Sequence, residues 1–208
     1  MYGHRRTAAQ PNISWWGDSQ VNTLNDLAGG FNSVVDHLRR ITRRRVYQGG
    51  VGGEPAESTY GRFVAQPAEQ LNDTIIITTG HNNYSYPYMH NEDVVKIESY
   101  MQAIIDLIPH NRWIMTTMSN GTPTSLDTYW TLNIQRHHVN DYWIQKYGVH
   151  CVDVFAAQRA YDLKDTHAQV NNIMPLMLTQ LPAPSHPNAL GTLVSAHAVA
   201  RRLQEQGW

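Results

Sequence analysis

The run Thr74-Ile75-Ile76-Ile77-Thr78-Thr79 carries a β-branched side chain at every position, which stiffens χ1 and favours a pleated, extended backbone over a helix. It marks a strand, and further apolar, β-prone runs recur along the chain. Ile13-Ser14-Trp15-Trp16, Val46-Tyr47-Gln48, Arg112-Trp113-Ile114-Met115-Thr116-Thr117 and Val149-His150-Cys151-Val152-Asp153-Val154 complete a set of five. Helical stretches separate them. Val94, Val95, Ile97, Met101, Ile104, Ile105 and Ile108 fall on one side of a helix that Asn91 and Glu92 start and Pro109 stops. Tyr129, Leu132, Asn133, Arg136, His137, Asn140 and Trp143 predict a long helix closing at Gly148, and the stretch from Asn188 towards Gln206 predicts a last one. Strands alternating with helices predict an α/β fold in three α/β/α layers, with a mostly parallel five-stranded sheet covered on both faces. Ligands in such sheets bind at the carboxyl ends of the strands.

A chain of 208 residues suffices for one well-buried domain, and no Pro/Gly/Ser linker divides it, so residues 1–208 are expected to form a single domain. Lysine plus arginine (16) nearly balances aspartate plus glutamate (17), which gives no reason to expect a nucleic acid or a membrane surface as partner. Arg39, Arg40, Arg43, Arg44 and Arg45 do cluster. They read as the solvated C-terminus of a helix, where cations suit the dipole; the alternative is contact with an anionic polymer. The lone Cys151 sits in an apolar stretch and is expected in the core. Met1-Tyr2-Gly3-His4-Arg5-Arg6 lacks the apolar run of a signal peptide, and no uncharged span is long enough to cross a bilayer. The expectation is a soluble chain, either cytoplasmic or part of a larger virion or extracellular protein. His81, His90, His137, His138, His150 and His167 show no convincing ligand spacing, so no metal and no cofactor are expected.

Four short blocks follow strand ends in order: Gly17-Asp18-Ser19, Gly50-Val51-Gly52-Gly53-Glu54, Gly80-His81-Asn82-Asn83 and Ser185-His186-Pro187-Asn188. Each alone is an ordinary turn or cap. Together they resemble the SGNH (GDSL-type) hydrolases, whose serine, glycine, asparagine and histidine meet from separate loops, and the resemblance spans nearly the whole chain. It implies a flavodoxin-like α/β/α fold in which Ser19 is the nucleophile and His186 the general base. It also implies an oxyanion hole made by the N–H groups of Ser19 and Gly53 and the side-chain amide of Asn82. Asp18 and Glu54 stand outside that catalytic set and are expected to organise their loops.

One position departs from the family pattern. Asp-x-x-His is the usual last block, and three before His186 stands Ala183. The carboxylate of a full triad fixes the imidazole tautomer and stabilises the imidazolium. A backbone carbonyl of Ala183 or Pro184 would supply the tautomer alone; Asp162 or Asp165 would supply a carboxylate from elsewhere; the remaining reading is a site without turnover.

Aromatic residues crowd the strand ends: Trp15 and Trp16 before the serine, Tyr84, Tyr86 and Tyr88 after Asn82. Rings with polar tips suit sugar faces and hydroxyls, so Trp16, His81, Asn83 and Tyr84 are the candidate substrate contacts. The function expected is a serine esterase that removes acetyl or other short acyl groups from a carbohydrate through an acyl-serine intermediate. A small ester or acylated carbohydrate is then the partner. Two alternatives stand beside it: an inactive carbohydrate-binding module of a larger phage-tail or surface assembly, and a thioesterase or lysophospholipase. The segment 156–184, with its apolar stripe Ile173, Met174, Leu176, Met177 and Leu178, reads as a lid, a surface for a homo-oligomer, or further core.

Overall fold

The computed structural model describes residues 10–22, 33–83, 91–119, 126–162, 164, 178 and 186–208. Five strands, β1 (Ile13–Gly17), β2 (Val46–Gly50), β3 (Thr74–Thr78), β4 (Trp113–Thr116) and β5 (Cys151–Val152), form one sheet in the order β2-β1-β3-β4-β5. Every pairing is parallel, with Trp15 opposite Gln48 on one side and Ile76 on the other. Among the described residues six α-helices surround it: α1 (Val34–Thr42), α2 (Ala56–Val64), α3 (Asn91–Asp106), α4 (Leu126–Tyr147), α5 (Val154–Tyr161) and α6 (Ala189–Gln206).

Side chains alternate across a strand, so each strand feeds two cores. Ile13, Trp15, Ile76, Ile114 and Val152 pack with Val35 and Leu38 of α1 and Ala196, Val199 and Leu203 of α6. Trp16, Ile75, Ile77, Met115 and Cys151 pack on the opposite face with Phe63 of α2, Ile97, Met101 and Ile104 of α3, and Val139 and Trp143 of α4. Ile75, Ile76 and Ile77 are each 0% exposed, and full burial of a side chain of that size contributes about 1.5–3 kcal/mol. This run is the centre of the molecule. Cys151 lies in the core, and burial pushes its thiol up to about 12.

Two local features differ from the sequence expectation. The fifth strand is only Cys151–Val152, because Gly148–His150 form a 3-10 turn before it and Asp153 caps α5 after it, its carboxylate accepting from the Ala156 N–H at 2.8 Å. The arginine cluster is more than a solvated helix end. Arg39 donates from Nε and Nη2 to the Val46 carbonyl at 3.0 and 2.6 Å. Arg44 donates to the carbonyl of Pro11, to that of Trp208 at 2.9 Å and to Thr74 Oγ1 at 3.1 Å.

Candidate active site

Strand β1 ends where a side chain no longer fits. Gly17 has φ +157°, and a Cβ there would lie 1.8 Å from the Thr78 carbonyl oxygen, so glycine alone permits the chain to leave the sheet at this point. Asp18 then donates its N–H to the Thr78 carbonyl at 3.2 Å, and its own carbonyl accepts from Val21 and Asn22 at 3.1 and 3.0 Å. Its Oδ1 accepts from the Gln20 N–H at 2.9 Å, the side-chain-to-backbone bond by which aspartate stabilises a turn. The turn lifts Ser19 out of the sheet into a half-buried position.

His186 reaches that serine from the other end of the chain. Its Nε2 lies 2.8 Å from Ser19 Oγ across 167 residues of sequence. The histidine stands just before α6, whose start is fixed by Asn188: its Oδ1 accepts from Leu190 and Gly191 at 2.9 and 3.0 Å, and its N–H donates to the Leu178 carbonyl at 2.8 Å. Such a cap contributes about 1 kcal/mol and sets where the imidazole begins. Burial holds the His186 pKa below the ordinary histidine value; the His81 imidazole acts in the same direction, and the Asp18 carboxylate opposes both. A neutral imidazole is the form that accepts a proton.

Beneath the serine lies a second titratable pair. Asp18 Oδ2 and His81 Nδ1 are 3.3 Å apart, with side chains 0% and 7% exposed. His81 is therefore inside the protein rather than on a substrate surface.

The second and third blocks close on the first. Val51 donates its N–H to the Gly17 carbonyl at 3.0 Å, and a Cβ on Gly52 would stand 3.9 Å from the Ser19 Cβ, so this loop runs alongside the serine. Gly53 comes next at φ +79°, exposed. Asn82 is exposed too, and its Nδ2 donates to the Glu54 carbonyl at 3.0 Å. An amide nitrogen carries two hydrogens, so one donor remains. The backbone N–H groups of Ser19 and Gly53 donate to no acceptor among the described residues. The Ser19 and Gly53 N–H groups and Asn82 Nδ2, from three loops, thus keep donor capacity unspent among the described residues.

Other expectations fare differently. The placement of Trp16 at the substrate is corrected: the indole is 3% exposed and packs on Phe63 and Tyr47, because both faces of a fully covered parallel sheet are interior and alternation leaves neither tryptophan outside. Trp15 is buried as well, its Nε1 donating to Thr78 Oγ1 at 2.9 Å. Asn83 spends its amide on α2, Oδ1 accepting from the Ala56 N–H at 2.8 Å and Nδ2 donating to Glu57 Oε2 at 2.8 Å. Tyr84, Tyr86, Tyr88, Asp165, Ala183 and Pro184 lie outside the described residues. Asp162 accepts from the Lys164 N–H at 3.1 Å. Among the described residues no group of three or more His, Cys, Asp or Glu side chains could hold a metal ion, and no helix is long and apolar enough to cross a membrane.

Sequence reasoning missed Arg62. It binds Glu54 through Nε at 2.9 Å to both carboxylate oxygens and through Nη2 at 2.5 Å, and reaches the Gly49 carbonyl at 2.8 Å and the Gly17 carbonyl at 3.3 Å. Nothing in its spacing to the blocks announces this; the only signal is an acidic residue eight positions before it.

No family model and no curated sequence matches the chain. Solved structures do. A lipolytic protein of the G-D-S-L family from Desulfitobacterium hafniense DCB-2 is 17% identical with a TM-score of 0.68, over 93% of this chain and 100% of that one. A lipase/acylhydrolase from Enterococcus faecalis is 17% identical with a TM-score of 0.70, over 95% and 97% of the two chains. An acetylxylan esterase from Geobacillus stearothermophilus is 18% identical with a TM-score of 0.60, over 93% and 94%. With its all-parallel β2-β1-β3-β4-β5 sheet, the chain has the fold of the SGNH, or GDSL-type, hydrolases.

Proposed function

We propose that this protein, a single domain over residues 1–208, is a serine ester hydrolase that removes acetyl or other short acyl groups from a carbohydrate. The observation that carries the reading is the 2.8 Å approach of His186 Nε2 to Ser19 Oγ, within the reach a nucleophile and its base require. His186 takes the Ser19 proton as Oγ attacks the ester carbonyl. The oxyanion that forms is met by the N–H groups of Ser19 and Gly53 and by Asn82 Nδ2, and His186 then returns the proton to the departing alcohol. Water, deprotonated by the same imidazole, attacks the acyl-serine and releases the acid.

Ala183 takes no part in this scheme through its side chain. The tautomer that frees Nε2 needs only an acceptor at Nδ1, and a backbone carbonyl of the segment just before His186 is the assignment we make. The charge of the usual carboxylate is then forgone. Asp18 supplies part of it, since its buried carboxylate favours the imidazolium.

The carbohydrate rests on Tyr84, Tyr86 and Tyr88, which follow Asn82 in sequence, and on the likeness to the acetylxylan esterase; Trp15 and Trp16 no longer support it. The test is acetate release from a small acetyl ester and an acetylated oligosaccharide, with Ser19→Ala as control. Turnover abolished by that substitution is the expected result; an unchanged rate, or none from the parent, overturns the reading. The likeness to lipolytic proteins favours a second reading, hydrolysis of longer acyl chains. An optimum at two carbons excludes it.

A further inference from the structure

We propose that Arg62 is a positioning residue of this site, its guanidinium clamping the serine loop to the oxyanion loop so that the donors of both point at one place. The proposal rests on the esterase reading for its catalytic consequence and on geometry alone for the clamp.

A guanidinium presents five N–H donors in a rigid fork, and here they divide between three segments. Nη2 reaches the carbonyl of Gly17, two residues before the serine, and Nη1 reaches the carbonyl of Gly49 at the end of β2. Nε and Nη2 hold the carboxylate of Glu54, the residue after Gly53. The asparagine loop joins through Glu54 itself, whose backbone carbonyl accepts from Asn82 Nδ2. The plane of the guanidinium is backed by the Trp16 ring, 5.5 Å from the guanidinium carbon to the ring centroid. Arg62 and Glu54 side chains are 30% and 18% exposed, so the pair is shielded enough to persist and is bidentate, unlike a mobile surface pair.

The clamp acts mechanically rather than electrostatically. Glu54 neutralises Arg62, so the pair contributes little net field at a developing oxyanion. Its effect is to fix the spacing between the Ser19 and Gly53 N–H groups and Asn82. Oxyanion donors act on the transition state far more than on bound substrate, and a displacement of about 1 Å in such a site lowers rate by about 100-fold. Loss of the clamp is therefore expected in kcat and not in KM. Lysine cannot replace arginine here, having a point charge where the site needs a fork.

The experiment compares the parent with Arg62→Met, Arg62→Lys and Glu54→Gln. Hydrolysis of a small acetyl ester is normalised to folded protein by circular dichroism. Backbone hydrogen exchange is followed over residues 49–54, where Val51 and Glu54 N–H are hydrogen-bonded. We expect kcat lower by about 100-fold in both Arg62 variants with KM within about twofold, a smaller loss in Glu54→Gln, and faster exchange of residues 49–54 in all three. Unchanged exchange in Arg62→Met and Arg62→Lys, in folded protein, overturns the clamp whether or not the parent is an esterase. Faster exchange with kcat unchanged overturns the catalytic consequence. A parent without turnover refutes the esterase reading instead, and the exchange result still decides the clamp. Should Arg62→Met fail to fold, Glu54→Gln, which keeps the bonds to Gly17 and Gly49, decides it by the same readout.

Discussion

The two ends of the sheet are each held by an arginine, and they are held for different purposes. At the amino end Arg44 ties the Pro11 and Trp208 carbonyls and the Thr74 hydroxyl, bringing both ends of the described chain onto the start of β3. At the carboxyl end Arg62 ties glycine carbonyls, and the loops it holds keep N–H donors unspent among the described residues. At the amino end the arginine covers backbone carbonyls and so fastens segments near both ends of the described chain to the sheet. The carboxyl end, where parallel strands leave room for ligands, carries a serine, two histidines and a buried carboxylate within one cluster. The same residue type joins segments near both ends of the described chain at one end of the sheet and the loops beside Ser19 at the other.

Substitutions can break this contrast, and the largest effect is expected at the serine. Ser19→Ala should lower kcat by at least about 10,000-fold while changing stability by less than about 0.5 kcal/mol, read by ester hydrolysis beside chemical denaturation; comparable turnover in the variant would refute the nucleophile. Asn82→Ala removes one oxyanion donor and should lower kcat by about 100- to 1,000-fold. Steady-state kinetics in which KM alone rises would place Asn82 in ground-state binding instead.

Arg44→Met is the counterpart at the other end. It orphans the carbonyls that Arg44 covers, so unfolding free energy should fall by about 1–3 kcal/mol, with kcat per folded molecule unchanged. A urea curve and a rate measured on one sample check both halves, and a loss of kcat would collapse the distinction between the two ends.

The smallest expected effect sharpens the electrostatics. His186 must be neutral to act as base and burial holds its pKa below the ordinary value, so kcat/KM should rise with pH through an apparent pKa below about 6.5 and then level off. Asp18→Asn keeps an oxygen for the Gln20 N–H but removes the charge that raises the His186 pKa. The acid limb should therefore move to still lower pH. An upward move would mean that the carboxylate does not act on this imidazole.

Much of the fold was legible because its signals are local. Ile75, Ile76 and Ile77 announce a strand by β-branching, α3 announces itself by its apolar period, and three of the four blocks by standing after strand ends, while the histidine block stands before the last helix. Helix α2 was not legible. Its N-cap position is Pro55, which makes no side-chain cap bond, and the Ala56 N–H is capped by Asn83, 27 residues away. The misreading of Trp16 has a related cause: a sheet covered on both faces implies an interior side chain, and the packing of Phe63 and Tyr47 on the indole shows that this holds as far as the strand end.

The amino-acid sequence by itself determined the order of the five strands, the helices with a clear apolar period and the four residue blocks, since propensity, periodicity and turn chemistry act between near neighbours. Tertiary structure alone decided that His186 stands 2.8 Å from Ser19, that Asn83 serves a helix rather than a ligand, and that Arg62 joins the loops. Each depends on groups distant in sequence, whose separation is set by how two cores pack on one twisted sheet.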